Sequence, residues 1–282
     1  MLSGLPKIPI GQWIENGIEY LVREGGSTTE SISEALEVII EGLQDVLLFL
    51  PPELFIIVIA GLTWWLADRK IAIFSVIGLF WLLNARLWEA TMSTLAMVLA
   101  AVLLCVLLGI PLGILGAKKN GVRNVLMPIL DFMQTLPAFV YLLPAIFFFG
   151  LGVVPAVIAT LIFAMPPIIR LTILGLQQVP DELVELGNSF GSTFLQMLIK
   201  IELPLAKPTI MAGINQCIML SLSMVVIAAM IGARGLGGEV WRSIQRLEIG
   251  VGFEAGLAIV VVAVILDRIT QNLGKSDWNG GK

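Results

Sequence analysis

Side chains able to run acid–base or nucleophilic chemistry are scarce in this chain. It has no histidine, so Ser-His arrangements and histidine-held metals are unavailable. Asp131 is the acid set well inside an uncharged stretch, and no second acid accompanies it to make a catalytic dyad. Cys105 and Cys217 both lie in apolar stretches, where a cysteine reads as a small packing residue rather than half of a disulfide. Two phosphate-binding look-alikes fail on context. Gly274-Lys275-Ser276 would need a glycine five residues ahead of its Gly-Lys pair, and Ile269 stands there. The run Gly232-Ala233-Arg234-Gly235-Leu236-Gly237-Gly238 follows an apolar span rather than a strand, so it reads as a flexible loop. The expectation is a chain with no catalytic residue, no metal site and no nucleotide site of its own. What remains is recognition, by carboxylates in one polar loop and by polar and aromatic positions inside apolar segments.

Those positions are carried by an unusually greasy polymer. Of 282 residues, 57% are hydrophobic and only 13% charged, against about 25% charged in soluble domains. A water-soluble globule cannot build a polar skin from that composition, so the chain is read as a polytopic membrane protein. The net charge of −4 and the lack of a long basic run exclude nucleic acid as a partner. No apolar run follows the first residues, so no cleavable signal peptide is expected.

About 20 apolar residues in a helix cross a hydrocarbon core of about 30 Å. Uncharged or nearly uncharged windows at 91–117, 125–169, 208–233 and 255–266 meet or approach that length. The second is long enough for two crossings, with Gly150-Leu151-Gly152 and Pro155 marking the turn. Shorter candidates at 54–67 and 71–83 flank Asp68-Arg69-Lys70, which brings the expected count to seven. Lysine and arginine cluster with the connector Lys118-Lys119-Asn120-Gly121-Val122-Arg123, and on the positive-inside rule that side is cytoplasmic, with the N-terminus outside and the C-terminus inside. Before the spans, Ile32, Leu36, Ile39, Leu43, Val46 and Leu50 recur at helical spacing opposite Glu30, Glu34, Glu37, Glu41 and Asp45. This describes an amphipathic helix over 28–50, either lying in the interface or offering a face to an external partner.

The polar stretch 177–207 is too long for a mere connector. Pro180-Asp181-Glu182 starts one short helix, Gly191 interrupts, and Thr193-x-x-Gln196 is a capping box for a second, which Leu203-Pro204 is expected to end. Taken alone, Glu185 here is equally a surface residue of a helix with a glycine turn. The spacing, however, is distinctive: Glu185-Leu186-Gly187, three residues, Gly191, nine residues, then Ile201-Glu202-Leu203-Pro204. It resembles the EAA signature of ABC importer permeases, with Leu186 and Gly187 in place of the two alanines. Further segments, Asp131-Phe132-Met133-Gln134-Thr135-Leu136-Pro137, Phe163-Ala164-Met165-Pro166-Pro167, Asn215-Gln216 and Leu222-Ser223-Met224-Val225, resemble permease subunits of glycine betaine/proline betaine importers over roughly residues 64–273.

That resemblance implies an all-α polytopic fold of about seven spans with a type I ABC importer permease core. It implies an acidic extracytoplasmic segment at 1–52, two accessory helices at 53–90, the core at 91–273 with a coupling loop at 175–207, and a cytoplasmic tail at 274–282. Glu182, Glu185, Gly187, Gly191, Ile201, Leu203 and Pro204 would then seat the loop in a separate ATPase. The implied assembly is two copies of this chain, two ATPase subunits and an external quaternary-amine-binding protein, in the lipid of a bacterial cytoplasmic membrane. No cofactor is expected on this chain; ATP-Mg would belong to the ATPase. A betaine carries a quaternary ammonium and a carboxylate, and aromatic faces attract such a cation without a formal charge. Candidate path residues are Asp131, Gln134, Thr135, Phe139 and Tyr141 along the fourth span, and Gln216, Met219 and Ser223 along the sixth. Their alternative role is polar glue between helices. Asp131 either pairs with Arg170 or meets the solute. A secondary transporter is the competing reading, weakened by the single intramembrane acid and absent histidine; an intramembrane hydrolase ranks third.

Overall fold

The computed structural model describes residues 9–274. Lys7, Lys275, Ser276 and Lys282, which entered the orientation and phosphate-loop readings, lie outside them. The described chain is helical throughout: α1 (Ile10–Phe49), α2 (Pro52–Leu66), α3 (Arg69–Asn84), α4 (Trp88–Lys118), α5 (Asn120–Thr135), a 3-10 turn (Ala138–Tyr141) and α6 (Leu142–Phe149). There follow α7 (Val153–Gln177), α8 (Asp181–Ser189), α9 (Phe194–Met197), a π-helical turn (Leu198–Glu202), α10 (Leu203–Ala229), α11 (Leu236–Arg246) and α12 (Ile249–Leu273). Four helical runs are long and apolar enough to cross a membrane: α4, α7, Phe194–Ala229 and α12. Two bent pairs raise that to six if each is one span: Thr28–Phe49 with α2, bent by 95°, and α5 with Ala138–Phe149, bent by 108°. The seventh expected crossing is α3. Its 16 residues reach about 24 Å at 1.5 Å per residue, short of the hydrocarbon thickness.

The core is α7 packed between α4 and α10. Small residues let the backbones close on one another. A β-carbon at Gly109 would lie 2.3 Å from Ile168 Cγ2, one at Gly113 2.5 Å from Thr172 Cβ, and one at Gly213 3.1 Å from Ile168 Cα. The Gly109-x-x-x-Gly113 spacing therefore serves close helix packing. At the same spacing on α12, Gly252 packs against Ser243 of α11, while nothing lies within 4 Å of Gly256. Helices α2 and α3 pair with one another and lean on α12, where a β-carbon at Gly78 would stand 2.6 Å from Val261 Cγ1.

Three expectations are corrected. The amphipathic helix begins not near Thr28 but at Ile10, and its inward residues are Leu36 and Ile40, with Leu43, Leu47 and Leu50 partly buried. Ile32, Ile39 and Val46 stay exposed, so the packed face is rotated from the expected stripe; the glutamates remain outside as expected. The glycine-rich run after α10 is not a loose loop. Leu236 is fully buried at the start of α11, its N–H donating to Thr94 Oγ1 at 2.8 Å, and Gly237 abuts the Val225 carbonyl. Finally, Leu203-Pro204 does not end a helix. The π turn at Leu198–Glu202 widens the coil just where the proline ring would meet the preceding turn, and the helix runs on into α10.

Candidate functional site

The polar loop folds into a hard knob. Helix α8 ends in a Schellman closure: Ser192 N–H donates to the Gly187 carbonyl at 3.0 Å, Gly191 N–H to that of Asn188 at 2.9 Å, and Gly191 takes φ +74°, which only glycine adopts without strain. Thr193 and Gln196 then form the expected capping box, with bonds of 2.9 and 3.4 Å. Gly187 is buried, and a β-carbon there would lie 2.6 Å from Met197 Cε and 2.9 Å from Ile201 Cδ1. The glycine in place of alanine thus lets α8 press onto the turn after α9. Glu182, Glu185 and Gly191 are exposed, Ile201 and Leu203 partly buried, Pro204 exposed. The same knob exposes Leu186, Phe190, Phe194, Leu195 and Ile199, Phe190 to 83%. Exposed large apolar side chains alongside carboxylates are the composition of a protein-binding surface.

The loop also reaches the membrane core through residues its spacing did not single out. Glu202, 2% exposed, accepts a hydrogen bond from Lys118 Nζ at the end of α4 at 2.6 Å; its other oxygen, Oε2, is buried without a partner. The same ammonium sits 5.8 Å from the centre of the Phe194 ring. No local pattern announces a pair 84 residues apart.

The expected stripe on the fourth span is broken. Residues 131–141 do not share one helix face, because α5 stops at Thr135, Leu136 turns to extended geometry and the chain bends before the 3-10 turn. Pro137 is the cause: it removes an N–H and disfavours helical geometry at the residue before it. Asp131, Gln134, Thr135 and Phe139 are exposed. Tyr141 is buried, packs against Phe163 and donates its hydroxyl to the carbonyl of Met133. That carbonyl lies four residues before Pro137, so the phenol supplies the donor that the proline lacks. Asp131 and Arg170 do meet, at 2.5 Å, joining α5 to α7. On α10, Gln216 and Ser223 are exposed and Met219 partly so, all on one unbroken helix. Beside Gln216, a cleft of about 630 Å³ is lined also by Asn215, Met211 and Gln271.

A second cluster was missed because Asp267 sits at the edge of an apolar window and reads as a span end. Its Oδ1 accepts from Asn215 at 2.8 Å and Gln271 at 2.6 Å, and Thr270 donates to Asn215 Oδ1 at 2.7 Å, tying α10 to α12. Among the described residues no three histidine, cysteine, aspartate or glutamate side chains gather as metal ligands would.

Comparison with known proteins bears on this geometry. Residues 109–276 match the family described as binding-protein-dependent transport system inner membrane component. A glycine betaine transport system permease protein of Bacillus subtilis is 51% identical over 272 residues, 96% of both chains. A glycine betaine/proline betaine transport system permease protein of Escherichia coli is 45% identical over 274 residues, covering 97% of this chain and 77% of that one. Among solved structures, a methionine ABC transporter captured in inward-facing conformations superposes with a TM-score of 0.57 at 23% identity, over 67% of this chain and 92% of that one. That likeness extends to the fold alone.

Proposed function

The chain belongs to the family of binding-protein-dependent transport system inner membrane components, and from that premise we propose that it is the permease subunit of an ATP-driven importer of glycine betaine or a closely related quaternary-ammonium solute. The observation that carries the substrate is the 51% identity, end to end, with a glycine betaine permease. Two copies would enclose the pathway. The knob around Glu182, Glu185 and Gly191 would dock on an ATPase subunit beneath each copy, an external binding protein would deliver the solute, and ATP-Mg would stay with the ATPase. The knob side is then cytoplasmic, with the N-terminus outside, and residues 91–273 form the working core in a bacterial cytoplasmic membrane.

The exposed side chains suit a zwitterion. Asp131 and Arg170 neutralise each other, so their surface offers no net charge to trap the solute. Exposed Phe132 and Phe139 offer the aromatic faces that attract a trimethylammonium group, a role that passes from buried Tyr141 to Phe139. Gln134, Thr135, Gln216 and Ser223 offer hydrogen bonds to a carboxylate. In this mechanism, closure of the ATPase pair moves the two knobs and the helices rock to open the pathway outward; release reverses the motion.

The test is reconstitution of the chain with its ATPase and binding protein in proteoliposomes, followed by uptake of labelled glycine betaine. Uptake that requires ATP and is competed by proline betaine supports the assignment. Uptake driven by an ion gradient without ATP, or none by an assembled and ATP-hydrolysing complex, overturns it.

A further inference from the structure

We propose that Lys118 and Glu202 form a positioning pair that transmits movement of the knob to the membrane core, through a bond built to switch rather than merely to hold. The inference rests on the reading of the knob as the ATPase-docking element.

Three observations converge on this pair. The first is where it sits. Glu202 closes the π turn between knob and α10, and Lys118 ends α4, so the bond of 2.6 Å joins the root of the knob to a helix of the central α4–α7–α10 core. The second is the contact of Lys118 with Phe194, 5.8 Å from ring centre to Nζ. Phe194 is 58% exposed on the knob, as Phe190 and Leu195 also are exposed, so a protein seated on the knob at α9 touches the ring that cradles the ammonium. Displacement of α9 thereby alters the lysine's surroundings directly.

The third is energetic. Glu202 is 2% exposed and its Oε2 finds no donor. A buried carboxylate left half satisfied by a partly exposed lysine is a poor static fastener, since apolar side chains of like volume hold two elements at least as well. What a charged pair provides and a leucine contact does not is a directional bond with two discrete states, made and broken. The π turn adds to this, being a helical irregularity of the kind found at moving sites. The orphan oxygen is accounted for if the carboxylate satisfies both oxygens in the other state of the cycle, once the knob has shifted against α4.

The proposal is tested in the full transporter, by comparing solute moved per ATP hydrolysed. Lys118→Met alone would leave a buried charge unpaired and threatens folding, so the deciding variant is the double Lys118→Met/Glu202→Leu, which keeps the contact apolar. A second variant, Lys118→Glu/Glu202→Lys, restores the pair with reversed polarity. The wild-type complex runs in parallel: if it fails to transport, the function proposed above falls, independently of this pair. Given a working wild type, the expected result is that the apolar double variant assembles and hydrolyses ATP but moves at least about fivefold less solute per ATP, the lower end of usual coupling between sites. The swapped pair should recover part of that loss. Wild-type stoichiometry in the apolar variant overturns the proposal. Failure of both double variants to assemble overturns it too, because the pair would then serve structure alone.

Discussion

Pro137 withholds the donor that the Met133 carbonyl would receive in a continuous helix, and the Tyr141 hydroxyl supplies it from the far side of the bend. Neighbouring side chains on this segment therefore fall into separate roles that their spacing alone does not distinguish. Tyr141→Phe removes one oxygen and leaves the Met133 carbonyl without its donor, at a cost of about 1–3 kcal/mol. The expected outcome is a lower unfolding midpoint of the purified chain in detergent. Phe139→Ala, by contrast, trims an exposed ring and should leave the midpoint unchanged while slowing betaine uptake by about two- to thirtyfold, the equivalent of about 0.5–2 kcal/mol for one cation–π contact. Paired melting and uptake measurements separate the two roles, and identical behaviour of the variants in both assays would contradict this assignment.

Among the elements, the knob is the one whose geometry tolerates least. Gly191→Pro would force φ to about −65° where the backbone stands at +74°, and would delete the N–H that bonds to Asn188. Glu185→Lys leaves that geometry intact but reverses an exposed charge. Gly191→Pro should abolish both docking of the ATPase and uptake, whereas Glu185→Lys should weaken docking in a salt-dependent way; co-purification at two ionic strengths reads both. Helix contacts make a second contrast. Gly213→Val would drive side-chain atoms into the backbone of α7, 3.1 Å from Ile168 Cα, with a cost of about 1–3 kcal/mol or more. Gly256→Ala meets nothing within 4 Å inside the chain and should melt no lower than the wild type. The knob was legible in advance because its Schellman turn and capping box are local, spelled out by Gly191, Thr193 and Gln196 within a few residues. The bend at Leu136-Pro137 was spelled out equally clearly, yet a long uncharged window masks it, since hydropathy counts residues and ignores missing N–H groups. The Lys118–Glu202 and Asn215–Asp267 contacts had no such signal. Each joins helices distant in sequence, and only packing decides which polar side chains share a depth.

Over the whole molecule, apolar exposure is of two kinds. Leu103, Leu107 and Leu108 make an unbroken apolar face on α4, whereas the exposed stripe on α10 alternates Gln216 and Ser223 with methionines. On the function proposed above, the first face meets lipid or protein and the second meets water. A charged, membrane-impermeant thiol reagent should therefore label Ser223→Cys at least about tenfold faster than Leu107→Cys, taking an apolar surround to be closed to such a reagent. The native Cys105 and Cys217 are fully buried and should give little background. Equal labelling at both positions would remove α10 from the aqueous pathway.

The lean of α2 and α3 on α12 also has a bearing on time. The hairpin leaves the ribosome well before α12, yet the surface that receives Gly78 belongs to Val261 of α12. At the usual rate of synthesis of about 5–20 residues per second, nearly two hundred residues separate the two events, an interval of roughly 10–40 seconds. Throughout it, helices of 15 and 16 residues, each too short to span the bilayer, must be sheltered by lipid, by the insertion machinery or by each other. Seating of the hairpin thus waits for α12: a nascent chain stalled before α12 holds the α4–α7–α10 core and an unseated hairpin, a difference that membrane quality control has that interval to detect.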